Sequence, residues 1–173
     1  IRACSGLSST LEMAREGRPF LMNLQSDETT KERMDLYRST MSEAGFDDEA
    51  VARSVAASWV WRNIFVADTD AEAEEIAVPH FRAMRAYLSD NRARMNTEQE
   101  RAAQAAAVTG AARDSLDHGL IYGSPETVCQ RLEKVDKIGV GGVIIHFRLG
   151  AMPYAATEHS LRLFAEKVMP NFR

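Results

Sequence analysis

Cysteine is scarce in this sequence. Cys4 and Cys129 are the two copies in 173 residues, and they form no CxxC pair. That excludes a disulfide-dense scaffold and the cysteine-rich zinc motifs, and it makes a reducing cytoplasm the simplest setting. The four histidines show no HExxH or other ligand spacing, so no metal site is expected. An excess of basic charge is also missing. Lys and Arg number 21 against 25 Asp and Glu, net −4 with the signs interspersed, which argues against a nucleic-acid partner. No apolar run approaches the length of a membrane span and no signal-peptide pattern opens the chain, so no membrane partner is expected. An initiator methionine is lacking too. The chain opens at Ile1 inside a strand-like run, so missing sequence ahead of it is expected.

What is present is one repeated unit. Hydrophobic residues make up 45% and charged residues 27%, the balance of a globular domain with a real core. A strand at Ile1–Ser5 precedes a helix at about Ser8–Glu16, which Gly17 breaks, and Pro19 leads into the short strand "FLMNL". Ser26 caps a second helix, with Asp27 and Glu28 in its first turn. Met34, Tyr37 and Met41 form its buried stripe, and Gly45 ends it. "WVWRNIFVA" is a third strand, rich in aromatic and β-branched residues and covered on both faces. Thr69-Asp70-Ala71-Glu72 is a capping box, and Pro79 predicts a kink or break in the helix that follows. Residues 91–122 are polar and Ala-rich without a firm stripe, which predicts an insert that is a lid, a mobile loop or a partly helical excursion. Ser124 and Pro125 start a helix with Val128, Leu132 and Val135 on one face. "GVIIHF" is the fourth strand. The last helix carries Leu161, Phe164, Ala165 and Val168 and stops at Pro170. Four βα units predict a parallel sheet with right-handed crossovers, either a small open sheet or half of a (β/α)8 barrel.

Several short stretches carry chemistry of their own. In Ser5-Gly6-Leu7-Ser8-Ser9, small hydroxyl residues sit where a strand gives way to a helix N-terminus. Converging amides there suit a phosphate, although such turns also serve purely as caps. "YGSPETV" offers a second anion cradle, but it reads better as an ordinary helix start, since it follows the insert rather than a strand. "GVGG" at Gly139–Gly142 precedes its strand, so it is a tight turn and not a dinucleotide fingerprint. His146 and Phe147 end the fourth strand on opposite faces. His146 is read as a satisfied structural histidine. Trp59 and Trp61 share one face and are assigned to the core. Arg62 faces the other way and needs a partner. Cys4 and Cys129 are small core residues rather than nucleophiles.

The opening "ACSGLSSTLEMAREGRPFLM" and the closing "YGSPETVCQRLEKVDKIGVGGVIIHF…SLRLFAEKVMPNF" resemble the C-terminal half of the bacterial luciferase-like flavin-dependent monooxygenases. The Gly-Ser-Pro-Glu helix start and the final Val-Met-Pro are shared, in order, across nearly the whole chain. The resemblance implies the (β/α)8 TIM-barrel fold. Residues 1–173 would cover about the last four βα units, with the insert in the position of the family's mobile active-site loop. It implies that Ser5, Gly6, Leu7, Ser8 and Ser9 hold the phosphate of FMN. Leu24, Gln25 and Phe147 would lie near the flavin and substrate. Ser5 stands where the active luciferase subunit has a glutamate, so the amide contact is retained and a carboxylate role is not.

The activity so implied is oxidation of a small organic substrate with molecular oxygen and reduced FMN supplied by a separate flavin reductase. The catalytic residues would lie in an absent N-terminal half. Completion by that half, or a homo-oligomer, is expected. Two alternatives remain open: an F420-dependent oxidoreductase of the same superfamily, and a non-catalytic structural subunit or fragment.

Overall fold

A computed structural model of the protein describes residues 2–4, 6–100, 102 and 115–172. The chain divides into two compact units, Ile1–Trp61 with Lys134–Ile144, and Arg62–Glu133 with Ile145–Arg173.

In the first unit, β1 (Arg2–Cys4), α1 (Leu7–Arg15), β2 (Phe20–Met22), α2 (Asp27–Glu43) and α3 (Asp48–Ala56) lead to the start of β3 (Trp59–Val66). β1 pairs parallel with β2, Arg2 opposite Phe20. β2 pairs parallel with β3, Leu21 opposite Trp59. The expected stripe of α2 is buried: Met34, Tyr37 and Met41 pack with Cys4, Met13, Phe20, Met22 and Val60. Tyr37 combines this with a hydrogen bond from its hydroxyl to the Arg18 carbonyl (2.8 Å), and its ring lies tilted 4.8 Å from Phe20. Ser26 caps α2 by accepting from the Thr29 amide, and Gly45 leaves it at φ 90°.

α3 was not among the expected elements. Asp47 accepts from the Ala50 amide, and Asp48 and Glu49 occupy the first turn, an N-terminal signal as strong as the one at Ser26. Ser58 ties its far end to the sheet. The Ser58 hydroxyl donates to the Ser54 carbonyl (2.8 Å) and accepts from the Phe20 amide (3.2 Å).

The "GVGG" turn behaves as its sequence predicts. Gly139 adopts φ 76°, and Arg38 donates to the carbonyls of Ile138 and Gly139. The Gly141 amide donates to the Ser58 carbonyl (2.9 Å), and a Cβ at Gly141 would lie 2.0 Å from the Ala56 carbonyl oxygen. Only glycine lets the two backbones come this close.

In the second unit, the end of β3 pairs parallel with β4 (Ile121–Gly123), Ile64 opposite Ile121 and Val66 opposite Gly123. The other elements are α4 (Asp70–Met95), α5 (Leu116–Gly119), α6 (Pro125–Asp136), β5 (Gly142–His146) and α7 (Tyr154–Leu163). α6 and β5 each run across the division between the units. α7 continues into a π-type turn at Phe164–Val168 and a 3-10 turn at Met169–Phe172. β5 also pairs with β3. Ile64, Val66, Ile121, Val128, Leu132, Leu163, Phe164 and Val168 form one core cluster. Phe65, Ala73, Ala77, Phe81, Leu149 and Met152 belong to a second.

Four expectations are corrected here. β4 is an additional strand, so "YGSPETV" does follow one. α4 runs through Pro79 without a break: the lost N–H is a single bond in 26 residues, and Ala73, Ala77 and Phe81 anchor the helix on both sides of it. The stripe of the last helix is Ser160, Leu163, Phe164 and Val168: Phe164 and Val168 face the core as expected, while Leu161 and Ala165 are exposed. Trp59 and Trp61 are 43% and 38% exposed rather than core. Trp59 lies against Gly142, where no side chain stands beneath it.

The described part of the expected insert at 91–122 contains the end of α4 and a reciprocal capping box in which Thr97 and Glu100 each accept from the other's amide. It also includes α5 and the start of β4. Residues 101 and 103–114 lie outside the described residues.

Replacing Gly141 by Ala should lower the unfolding free energy by roughly 1–3 kcal/mol, the usual cost of overpacking, and chemical denaturation checks this. The companion Gly6→Ala change should be tolerated much better, since a Cβ at Gly6 meets nothing within 4 Å.

Candidate active site

α1 begins on Gly6, whose extended backbone (φ −118°, ψ 163°) directs the chain into the helix, and no side chain caps that end. The first turn contains no acid, whereas α2, α3, α4 and α6 each carry at least one there. Leu7 and Ser8 are exposed and Ser9 is half-buried. The Ser9 hydroxyl donates to the Gly6 carbonyl (2.9 Å), as does the buried Thr10 hydroxyl (3.2 Å), so both help hold the turn. The amides of the first turn form an electropositive end with hydroxyls beside it. A phosphate fits this set. Ser5 lies outside the described residues.

The second candidate cradle, at Ser124, is filled from within the chain. Asp70 accepts from the Ser124 amide (2.6 Å) through one carboxylate oxygen and from the Thr127 hydroxyl (3.0 Å) through the other. The Ser124 backbone bond, then Thr127, holds the Asp70 carboxyl below its ordinary value. The anion expected by this helix start is a side chain, which supports its reading as an ordinary start.

Leu24 and Gln25, just beyond β2, are both buried. Gln25 is 1% exposed; its Nε2 makes no hydrogen bond among the described residues, although the residue has other interactions. Arg33 on α2 is buried near Cys4, and burial pulls its guanidinium below the ordinary value. It too has partners. Arg62 is buried and likewise engaged. Cys4 is fully buried. Burial pushes the Cys129 thiol up, away from the thiolate a nucleophile needs.

At the end of β5 the two neighbours part. Phe147 turns its ring edge-on to Phe164 at 5.3 Å and packs with the core. His146 lines an open cleft of about 680 Å³ together with residues of α4 and of the loop after β5. Asn63 on β3 fixes its ring. The Asn63 Nδ2 donates to the Gly119 carbonyl (2.8 Å), so its Oδ1 is the acceptor facing His146 Nδ1 at 3.1 Å. Nδ1 therefore carries the proton in the neutral ring, and the lone pair is on Nε2. Burial lowers the His146 pKa and favours that neutral form. Asn63 was missed in the sequence because a lone polar residue in an apolar strand has no motif.

The sign follows from the lowered value. A histidine whose folded pKa is depressed supports stability above the unfolded pKa, and that support is lost as pH falls toward the folded value. An NMR titration of His146 should give a midpoint below 6.5, the ordinary value. Asp70→Ala should cost about 1 kcal/mol or less, as expected for an exposed helix cap. Since the Asp70 pKa is lowered, the difference should disappear in denaturation curves as pH falls through that carboxyl's folded value.

No match was found among curated proteins. Among solved structures, the chain is similar to the monooxygenase RslO1 from Streptomyces bottropensis. Identity is 21% and the TM-score 0.64, over 99% of this chain and 47% of that one. It is similar to the oxygenating constituent of 3,6-diketocamphane monooxygenase from Pseudomonas putida, solved with FMN (20%, 0.66, 99% and 47%). It is also similar to the coenzyme F420-dependent tetrahydromethanopterin reductase from Methanopyrus kandleri (18%, 0.63, 99% and 50%). These likenesses carry the fold, that of the luciferase-like TIM-barrel enzymes, and the chain spans about half the length of each. The family model for luciferase-like monooxygenases matches residues 2–141, most of the chain, and the chain therefore belongs to that family.

Proposed function

We propose that this chain is part of a flavin-dependent monooxygenase that oxidises a small organic substrate with molecular oxygen, and that the start of α1 holds the phosphate of FMN. The family match over residues 2–141 carries this reading. The uncapped, acid-free N-terminus of α1 supports it locally. The Leu7, Ser8 and Ser9 amides would donate to phosphate oxygens, Gly6 would admit the group without a side chain in the way, and the Ser8 hydroxyl would add a further donor. Ser5 completes the motif in sequence. Leu24, Gln25 and Phe147 remain candidates for the flavin and substrate surroundings. When bound, the flavin supplies the oxidising chemistry. The protein's part is to orient it and exclude water. A separate flavin reductase supplies the reduced cofactor in this reading. Similarity to an F420-dependent reductase favours a deazaflavin enzyme as the second reading.

Calorimetric titration with FMN and with riboflavin, oxidised and reduced, tests the phosphate assignment. A Ser8→Glu, Ser9→Glu variant should weaken FMN binding about tenfold or more by charge repulsion at the helix end. Riboflavin, which has no phosphate, should bind the variant and the parent alike. Equal loss for both ligands would place the effect in the fold. Unchanged FMN affinity would remove the phosphate from α1. Uptake of F420 in place of FMN, read from the absorption spectrum of the loaded protein, would decide for the deazaflavin reading. Uptake of neither would favour a non-catalytic subunit.

A further inference from the structure

The cleft beside His146 has walls that the fold holds in place. Leu149 and Met152 are fully buried in the core, and Gly150 between them takes φ 61°. A Cβ at Gly150 would come within 3.1 Å of the Met84 Cβ, so the loop lies close against α4. Met84, Tyr87 and Leu88 of α4 form one wall, and Ala151 lies on the loop side. Met84 and Leu88 are half-buried, while the Tyr87 ring is 67% exposed. The volume of about 680 Å³ suits a small organic molecule, and the lining is largely apolar.

A histidine and an arginine line this cleft beside the Tyr87 ring. Burial favours the neutral form of His146, in the tautomer set by Asn63. Arg148, two residues on, is a permanent cation that makes no ion pair among the described residues. No acid lines the cleft among the described residues. A single guanidinium matches a carboxylate with two parallel hydrogen bonds and leaves no charge over. The Tyr87 ring and Met84 thioether favour an aromatic body, through ring stacking and sulfur–ring contact.

We infer that the cleft formed by α4 and the loop after β5 binds a small aromatic carboxylate, with Arg148 holding the carboxylate and Met84, Tyr87 and Leu88 holding the ring. This site goes beyond the cofactor reading, and its occupancy does not require flavin.

The probes are 3-phenylpropionate and its neutral amide, titrated calorimetrically into the 173-residue chain without flavin, at low and high salt. The carboxylate should bind about tenfold more tightly than the amide at low salt, a preference that salt reduces. Arg148→Gln should erase the preference while leaving the amide's affinity unchanged. Arg148 is exposed and outside the core clusters, so this variant should keep the fold, which circular dichroism checks. Ala83→Trp, at an exposed lining position of α4, should fill the cleft and abolish binding of both probes. Equal affinity for acid and amide, a preference that survives Arg148→Gln, binding that survives Ala83→Trp, or no binding of either probe would each overturn the assignment. None of these outcomes depends on whether FMN binds at α1.

Discussion

Parallel strands cannot be joined by a tight turn, and that constraint governs this chain. The three strand pairings with assigned register, β1 with β2, β2 with β3 and β3 with β4, are all parallel. Each connection must therefore carry the chain back across the sheet, and helices are how it does so. β3 shows the cost in sequence. Six of its eight residues are buried, including Arg62 and Asn63, so its polar groups must find partners inside the protein. Asn63 does so by bridging the Gly119 carbonyl and His146.

The same topology sets helix N-termini after strand ends, where unsatisfied amides gather. Most of these ends are satisfied locally. Ser26, Asp47 and Thr69 each accept from an amide two or three residues into the following helix. At α6, Asp70 brings a carboxylate from α4 to the Ser124 amide. α1, α5 and α7 lack a side-chain cap, and of these α1 alone has serines in its first turn, with a glycine before them. A helix end of that composition suits an external anion, which is why the phosphate site is proposed at α1 and not at α6.

Much of the fold was legible. Periodicity and caps placed α1, α2, β3, α6 and β5, because burial on one face and capping chemistry are local properties. Three elements escaped, among them the four-residue α5 inside the expected insert. α3 carries a clear cap at Asp47, yet its apolar face is small, with Ser54 its one buried residue. β4 is three residues long, too short for an alternating pattern. Of the candidate site, the hydroxyl turn at Gly6–Ser9 was visible as a motif, and His146 as a residue at a strand's end. The cleft was not visible, since Met84, Tyr87 and Arg148 lie far apart in sequence and only the packing of Gly150 on α4 joins them.

By itself the sequence determined the alternation of strands and helices, the caps that start them and the family to which they belong. These follow from residue spacing within single elements. Tertiary structure decided that Trp59 and Trp61 stand partly exposed, that Pro79 lies within an unbroken helix and that the Ser124 cradle is filled by Asp70. It also decided which ring nitrogen of His146 carries the proton. Each of these depends on what a distant segment places beside the residue, and a one-dimensional pattern does not contain that neighbour.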